Sequence, residues 1–519
     1  MSRLRRSLLI AAILLCGFAV WTATVTRPFV GHFDLMDAKW TVHAENTLRY
    51  GLIGVRFGDV YNVAPTTPDR FLYGNFHPPM ITDLLLPGRA LLGPHELATR
   101  ITPLFITALA AAAIALLAER LFPGSGPLAL FFAVFTPVVA YYSNIITQEG
   151  VNLLWIALAL WCYSHWLEDE RPRWRNGLVV LALLGGWTDW VYYLFVAYML
   201  IHAALTVGWR RALRLWPQVA AVGVVGLLYV GVSLWQMPDF FARFLSGVTM
   251  RLTDTAAPSA GGSTGYPGFW GYLGVMAVRL FQVFTPILIL LAVLGGRRAW
   301  KSRGGSPQRT PGAQRNIPSV AASAAQMSLP LLPLATTLTF MLVLQREAHY
   351  IHDFLVLHLT IPLALYGAYG YRSVLYRFGK PSFVGRALLS VLLLLFLYSA
   401  LSYLDVYRNY DYRPERAAWG LAIRPYVQPG EHIAGNVTAS AENHRLAFGL
   451  TLAYYAGTDA RWNVPPEAVL SGEAEIDFYV YCPPTLDDPD APRELPAALA
   501  EHAVSLFERD GCWFLDLKE

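Results

Sequence analysis

The chain is poor in charge: only 15% of its 519 residues are Asp, Glu, Lys or Arg. A soluble domain of this length carries roughly a quarter. With 55% of residues hydrophobic, the deficit points to lipid as the solvent rather than to a large aqueous core. The net charge of +4 is too small for a nucleic-acid partner, and the basic residues fall in short clusters between apolar runs, as topology signals do. Cysteine is scarce as well, at four residues. No zinc-ligand, P-loop or dinucleotide pattern stands in a credible context, which argues against a nucleotide-sugar donor, and no internal repeat at a solenoid period is evident by eye.

What the sequence does hold is a series of apolar runs near the 20-residue length of a membrane span. They lie near 7–25, 100–119, 126–143, 149–167, 176–189, 190–207, 217–236, 271–295, 327–345, 354–371 and 385–404, about eleven in all. Arg3, Arg5 and Arg6 precede the first run. It ends without a small-x-small cleavage pattern, and Cys16 follows Leu-Leu, so it is expected to be an uncleaved first span rather than a signal or lipoprotein leader. Asp189 between Trp187 and Trp190 reads as an interface turn.

Basic clusters give the orientation. With the N-terminus in the cytoplasm, Arg171, Arg173 and Arg175, then Arg210, Arg211 and Arg214, then Arg297 to Arg315, then Arg372 to Arg386, all fall inside. Three segments are then expected outside: a long loop over 26–99, a Gly/Ser-rich segment over 237–270, and a C-terminal region from Asp405. Strands are expected at 431–437, 477–482 and 512–517, with helices at 442–455 and 496–507. The expected fold is thus a polytopic α-helical membrane protein with a long first outer loop and a small C-terminal extracytoplasmic α/β domain. Its division is 1–404 for the membrane module and 405–519 for the outer domain. Cys16 and Cys162 fall in spans as packing residues, while Cys482 and Cys512 share the outer domain, where an oxidising compartment would let them pair.

The first outer loop reads Gly31-His-Phe-Asp-Leu-Met-Asp-Ala-Lys-Trp, then Phe76-His-Pro-Pro, then Leu92-Gly-Pro-His-Glu-Leu-Ala-Thr-Arg100. This order resembles the first outer loop of the C-type glycosyltransferase superfamily, and in particular its bacterial protein-mannosyltransferase-like and aminoarabinose-transferase-like members. The resemblance covers about residues 1–400. It matches Asp37 to the acid that opens a juxtamembrane helix, Gly51 to the end of that helix, and Phe76–Pro79 to a Pro-Pro motif. Ala38 stands where the family carries Glu, a departure that bears on any two-carboxylate metal site and leaves a divalent metal open. The implied activity is sugar transfer from a polyprenyl-phosphate donor to a lipid, glycan or protein acceptor at the outer face of the cell (inner or plasma) membrane.

The residues can be weighed on their chemistry as well. A carboxylate that takes the proton of an attacking hydroxyl or amine strengthens the nucleophile, and positive charge or donors stabilise a departing polyprenyl phosphate. Asp37, Asp34 and Glu149 are the catalytic candidates. His77, Arg346, His349 and His352 are the candidates for binding the donor phosphate. The competing readings are a helix cap for Asp34 and Asp37, a helix-start anchor for Glu149, an interface position for His77, and headgroup snorkelling for Arg346, His349 and His352. His358, deeper in its span, reads as a packing residue. Two other functions stand beside glycosyl transfer: a transporter or flippase of lipid-linked substrates, whose paired halves and broken spans are not evident by eye, and a non-catalytic receptor.

Overall fold

The computed structural model describes residues 3–74, 77–253, 268–302, 325–344, 352–377, 383–410, 412, 414–436, 449–462, 464–472, 476–483, 495–509 and 511–517. The chain is mostly helical. It opens with α1 (Arg3–Trp21), α2 (Asp34–Gly54), α3 (Met80–Leu92), α4 (Glu96–Leu121), α5 (Gly126–Phe135), α6 (Pro137–Tyr142) and α7 (Gln148–Asp169). It continues through α8 (Pro172–Gly186), α9 (Val191–Val207), α10 (Trp209–Ala212), α11 (Trp216–Gln236), α12 (Phe240–Thr253), α13 (Gly268–Phe284) and α14 (Pro286–Ser302). The later membrane helices are α15 (Leu331–Thr339), α16 (Thr360–Arg377) and α17 (Phe383–Tyr410).

Seven described helical segments are long and apolar enough to cross a membrane, and α13 with α14 makes a bent eighth; α5 and α9 are shorter apolar helices. Two expected spans come out differently. The run 271–295 is two helices meeting at 93°, because Pro286 lacks the amide and the room to continue α13 and Thr285 takes a left-handed φ of 63°. The run 126–143 is likewise split, at Thr136–Pro137, into α5 and α6. The turn expected around Asp189 separates α8 from α9.

The loop 26–99 is itself structured. Asp34 starts α2 behind Phe33, whose φ of 59° is left-handed, and Gly51, at φ 74°, breaks its helical course three residues before the end. Only a glycine takes that conformation without cost. Within 237–270, Phe240–Thr253 is helical, and the Gly/Ser-rich centre lies outside the described residues.

After α18 (Pro414–Ile423) comes a five-stranded sheet of order β2-β1-β3-β5-β4. Its strands are β1 (His432–Gly435), β2 (Asp459–Trp462), β3 (Phe478–Tyr481), β4 (Val504–Arg509) and β5 (Cys512–Asp516). β1 runs parallel to β2 and β3, and β5 is antiparallel to β3 and β4. One face buries Ile433, Phe478 and Phe514 against Trp419 and Leu452; the other buries Ala434, Tyr479 and Leu515. That alternation is what covers a sheet on both sides. The helix expected at 496–507 stops at His502, and Val504–Arg509 is strand β4. Cys482 and Cys512, which follow the paired Tyr481 and precede Trp513, are joined in a disulfide. Cys162 is buried and Cys16 exposed.

Candidate active site

Asp34 and Asp37 lie three residues apart in the first turn of α2, a spacing that puts both on one face. Both are buried, Asp37 completely. Arg100 of α4 reaches between them, its Nη2 3.0 Å from Asp34 Oδ2 and its Nε 3.1 Å from Asp37 Oδ2. The same guanidinium donates from Nη1 to the carbonyls of Thr24 (2.6 Å) and Arg27 (2.8 Å), so a buried cation is paired with two carboxylates and two carbonyls, as burial requires. Asp37 Oδ1 accepts the amide of Ile146 at 2.9 Å, and Asp34 Oδ2 that of Gly31 at 2.9 Å. Burial pushes the Asp37 carboxyl up to about 7 against the pull of Arg100. A narrow cavity of about 20 Å³ reaches Asp34 and Arg100 between Tyr141, Asn144, Arg27 and Arg408.

Glu149 sits a few residues beyond Ile146, in the first turn of α7, whose start is capped by Thr147 accepting from the Gly150 amide. It is buried, and its Oε2 has no hydrogen-bond partner among the described residues; neither have the amide atoms of Asn152 one turn on. Asp189, from the α8–α9 turn, lies near enough for the two charges to interact. His77 Nδ1 contacts Asp189 Oδ1 at 2.7 Å. The structure thus brings His77 to Glu149 through Asp189.

His352 lies beside the residue that precedes Asp34, its ring 5.1 Å from that of Phe33 and stacked on Phe354. Asp353 beside it accepts from the Tyr142 hydroxyl and faces His32 Nε2 at 3.7 Å. Arg346 and His349 lie outside the described residues. Segment 142–149 is therefore the hinge of the site: Tyr142 touches Asp353, Ile146 touches Asp37, and Glu149 faces Asp189.

The sequence reading left several members without a role. Arg100 ends the motif that begins at Leu92, yet only the fold shows that it bridges both aspartates. Asp59 accepts from Thr82 at 2.6 Å and faces His43 at 3.4 Å. Burial lowers His43 and Lys39 despite Asp59, and raises Asp83, which accepts from the Trp187 indole, to about 6. Lys39, at the rim of this cluster, lines a cavity of about 650 Å³ with Tyr73, Phe240, Arg243, Asp459 and Arg461. These residues come from four distant stretches of chain, so no spacing rule could have joined them. Among the described residues no three His, Cys, Asp or Glu side chains gather as a metal site.

A membrane bundle, a structured loop over 26–99 carrying two acids on its first helix, and a terminal α/β unit docked on that loop make up the fold. Residues 76–235 match the family described as dolichyl-phosphate-mannose-protein mannosyltransferase. The fold is similar to that of ArnT from Cupriavidus metallidurans, crystallised bound to undecaprenyl phosphate. The TM-score is 0.62 at 14% identity, over 100% of this chain and 99% of that one. It is also similar to the oligosaccharyltransferase of Archaeoglobus fulgidus (TM-score 0.55, 10% identity, 91% of this chain and 69% of that one). The arabinofuranosyltransferase AftD from Mycobacteria matches over 100% of this chain but 40% of its own length, at 14% identity and a TM-score of 0.52. No curated protein matches the sequence.

Proposed function

We propose that the protein transfers a sugar from a polyprenyl-phosphate donor to an acceptor at the outer face of the membrane. The observation that carries this reading is the buried Asp34–Arg100–Asp37 cluster at the start of the outer-loop helix, in a fold similar to a protein crystallised with undecaprenyl phosphate. Asp37 takes the proton of the acceptor hydroxyl or amine as that group attacks the anomeric carbon. The bond to the phosphate oxygen breaks, and the polyprenyl phosphate leaves with the electron pair. Its charge is met by His77 and His352, together with Arg346 and His349 from the segment preceding His352. Asp189 holds His77 in place, and Glu149, a like charge to Asp189, lies within electrostatic reach of that pair. Acceptors are lipid, glycan or protein, and the region from residue 405 onward, which opens with the end of α17 and carries the α/β unit, forms an outer domain beside the 1–404 membrane module.

The test is direct. Purified protein in polyprenol-containing vesicles is given a radiolabelled polyprenyl-phosphate sugar, and release or transfer of label is followed. Turnover that depends on Asp37 supports the reading. Movement of intact lipid-linked sugar across the vesicle, with the glycosidic bond preserved, would replace enzyme by transporter.

A further inference from the structure

We infer that Tyr455, far along the chain in α19 (Gly449–Ala456), is a positioning residue that latches the terminal unit onto the carboxylate pair. The inference rests on the catalytic reading of Asp34 and Asp37 given above. The Tyr455 hydroxyl accepts the backbone amide of Phe29 at 2.8 Å and donates to Glu96 Oε1 at 2.8 Å. Those two partners belong to the two elements that meet at Arg100. Glu96 is the first residue of α4, one turn ahead of Arg100 on the same helix. Phe29 lies under the Arg100 guanidinium, 5.1 Å from the ring centroid, and two residues before Gly31, whose amide holds Asp34.

The contacts close a ring. Tyr455 holds Phe29, Gly31 holds Asp34, Asp34 holds Arg100, and α4 carries Arg100 back to Glu96 and Tyr455. Val30 packs with Ala417 and Tyr455 in the same place, so the terminal unit supplies both apolar cover and the polar pin. Phe29 is fully buried, and a buried amide left without an acceptor is costly enough to drive local rearrangement. A displacement of about 1 Å at a reacting group can cost roughly a hundredfold in rate. A residue that touches neither substrate nor acid thereby governs where the acids point.

Tyr455→Phe tests the latch, since it keeps the ring and its packing but removes the hydroxyl. Hydrogen–deuterium exchange over residues 28–34 should speed up about tenfold. kcat should fall about tenfold, with the donor KM unchanged. Glu96→Gln, which preserves an acceptor oxygen for the Tyr455 hydroxyl, should keep wild-type values, whereas Glu96→Ala should copy Tyr455→Phe. Wild-type exchange over 28–34 in Tyr455→Phe overturns the latch. So does a donor KM that rises while kcat holds. If the wild-type protein transfers no sugar, the proposed function fails alone, and the exchange comparison still decides the latch.

Discussion

Asp37 shows how one residue can be read as a cap or as a base, and the structure sharpens the choice. It does not cap α2, since the helix starts three residues earlier at Asp34. Both of its oxygens are held, by Arg100 and by the Ile146 amide. Asn at this position keeps an oxygen for Ile146 and gives up the acceptor for Arg100 Nε, while Arg100 retains Asp34 and two carbonyls. Asp37→Asn should therefore fold and bind donor yet turn over at least about a hundredfold more slowly, the scale of a lost general base. Turnover near wild type, measured per folded molecule, would move the base to Asp34, which borders the narrow cavity, or to Glu149. The wild type carries a second signature. Its carboxyl is raised to about 7 by burial, and a base works only when deprotonated. kcat/KM, which reports the free enzyme, should thus fall about tenfold per pH unit below about 7 and level off above it. A flat profile between pH 5.5 and 8.5 would show that Asp37 does not titrate in the rate-limiting step.

At the scale of elements, packing between α14 and α16 relies on backbone contact. A Cβ on Gly295 would fall 1.9 Å from the Tyr366 carbonyl oxygen, and one on Gly370 would fall 2.0 Å from that of Leu291. Helices in lipid gain their association from such close approach rather than from a hydrophobic drive. Gly370→Ala should lower thermal stability in detergent by the cost of overpacking, about 1–3 kcal/mol. Gly231→Ala on α11, where nothing lies within 4 Å, should be neutral; equal effects of the two would remove the packing argument. The same elements show what the sequence could reveal. Apolar runs located most of the membrane helices because run length acts locally, while the family resemblance put the end of the loop helix at Gly51, where α2 breaks course before ending at Gly54. Pro137 and Pro286 split two expected spans, a local signal outweighed in the reading by continuous apolarity. The helix expected at 496–507 took in Val504–Phe507, the first part of β4, since that stretch follows a good helix former, Ala497–His502. Yet the Asp-Gly pair at 510–511 is a hairpin signal, and Gly511 takes a φ of 79°. At the site, Asp34, Asp37, His77 and Glu149 were legible as motif residues. Arg100's double pairing, the Asp189 link and Tyr455 were not, for they depend on contacts between residues up to 426 apart in sequence.

For the whole molecule, the number of crossings matters less than which parts share a side. The terminal unit touches the first outer loop through Tyr455 with Phe29 and Glu96, and through Asp459, whose Oδ1 accepts the Val63 amide at 2.6 Å. These contacts put residues 26–99 and the α/β unit on one face whatever the exact count of spans. Our proposed function takes that face as the outer one, in line with the orientation expected from the basic clusters, and the Cys482–Cys512 disulfide suits an oxidising compartment. Reporter fusions after Tyr403 should accordingly be active only as exported enzymes; activity only as a cytoplasmic reporter would invert the topology and the site with it. The disulfide gives an independent check. Its cysteines are 30 residues apart, and closing a loop of that size stabilises by about 3–4 kcal/mol in the chain-entropy model. In unreduced, denatured protein both thiols should resist alkylation. Cys482→Ser with Cys512→Ser should loosen the terminal sheet, and with it the hold of Tyr455 on Phe29. The double variant should then lose transfer activity under conditions where the membrane helices remain folded. Full activity in it would show that the sheet keeps Tyr455 in place without the covalent tie.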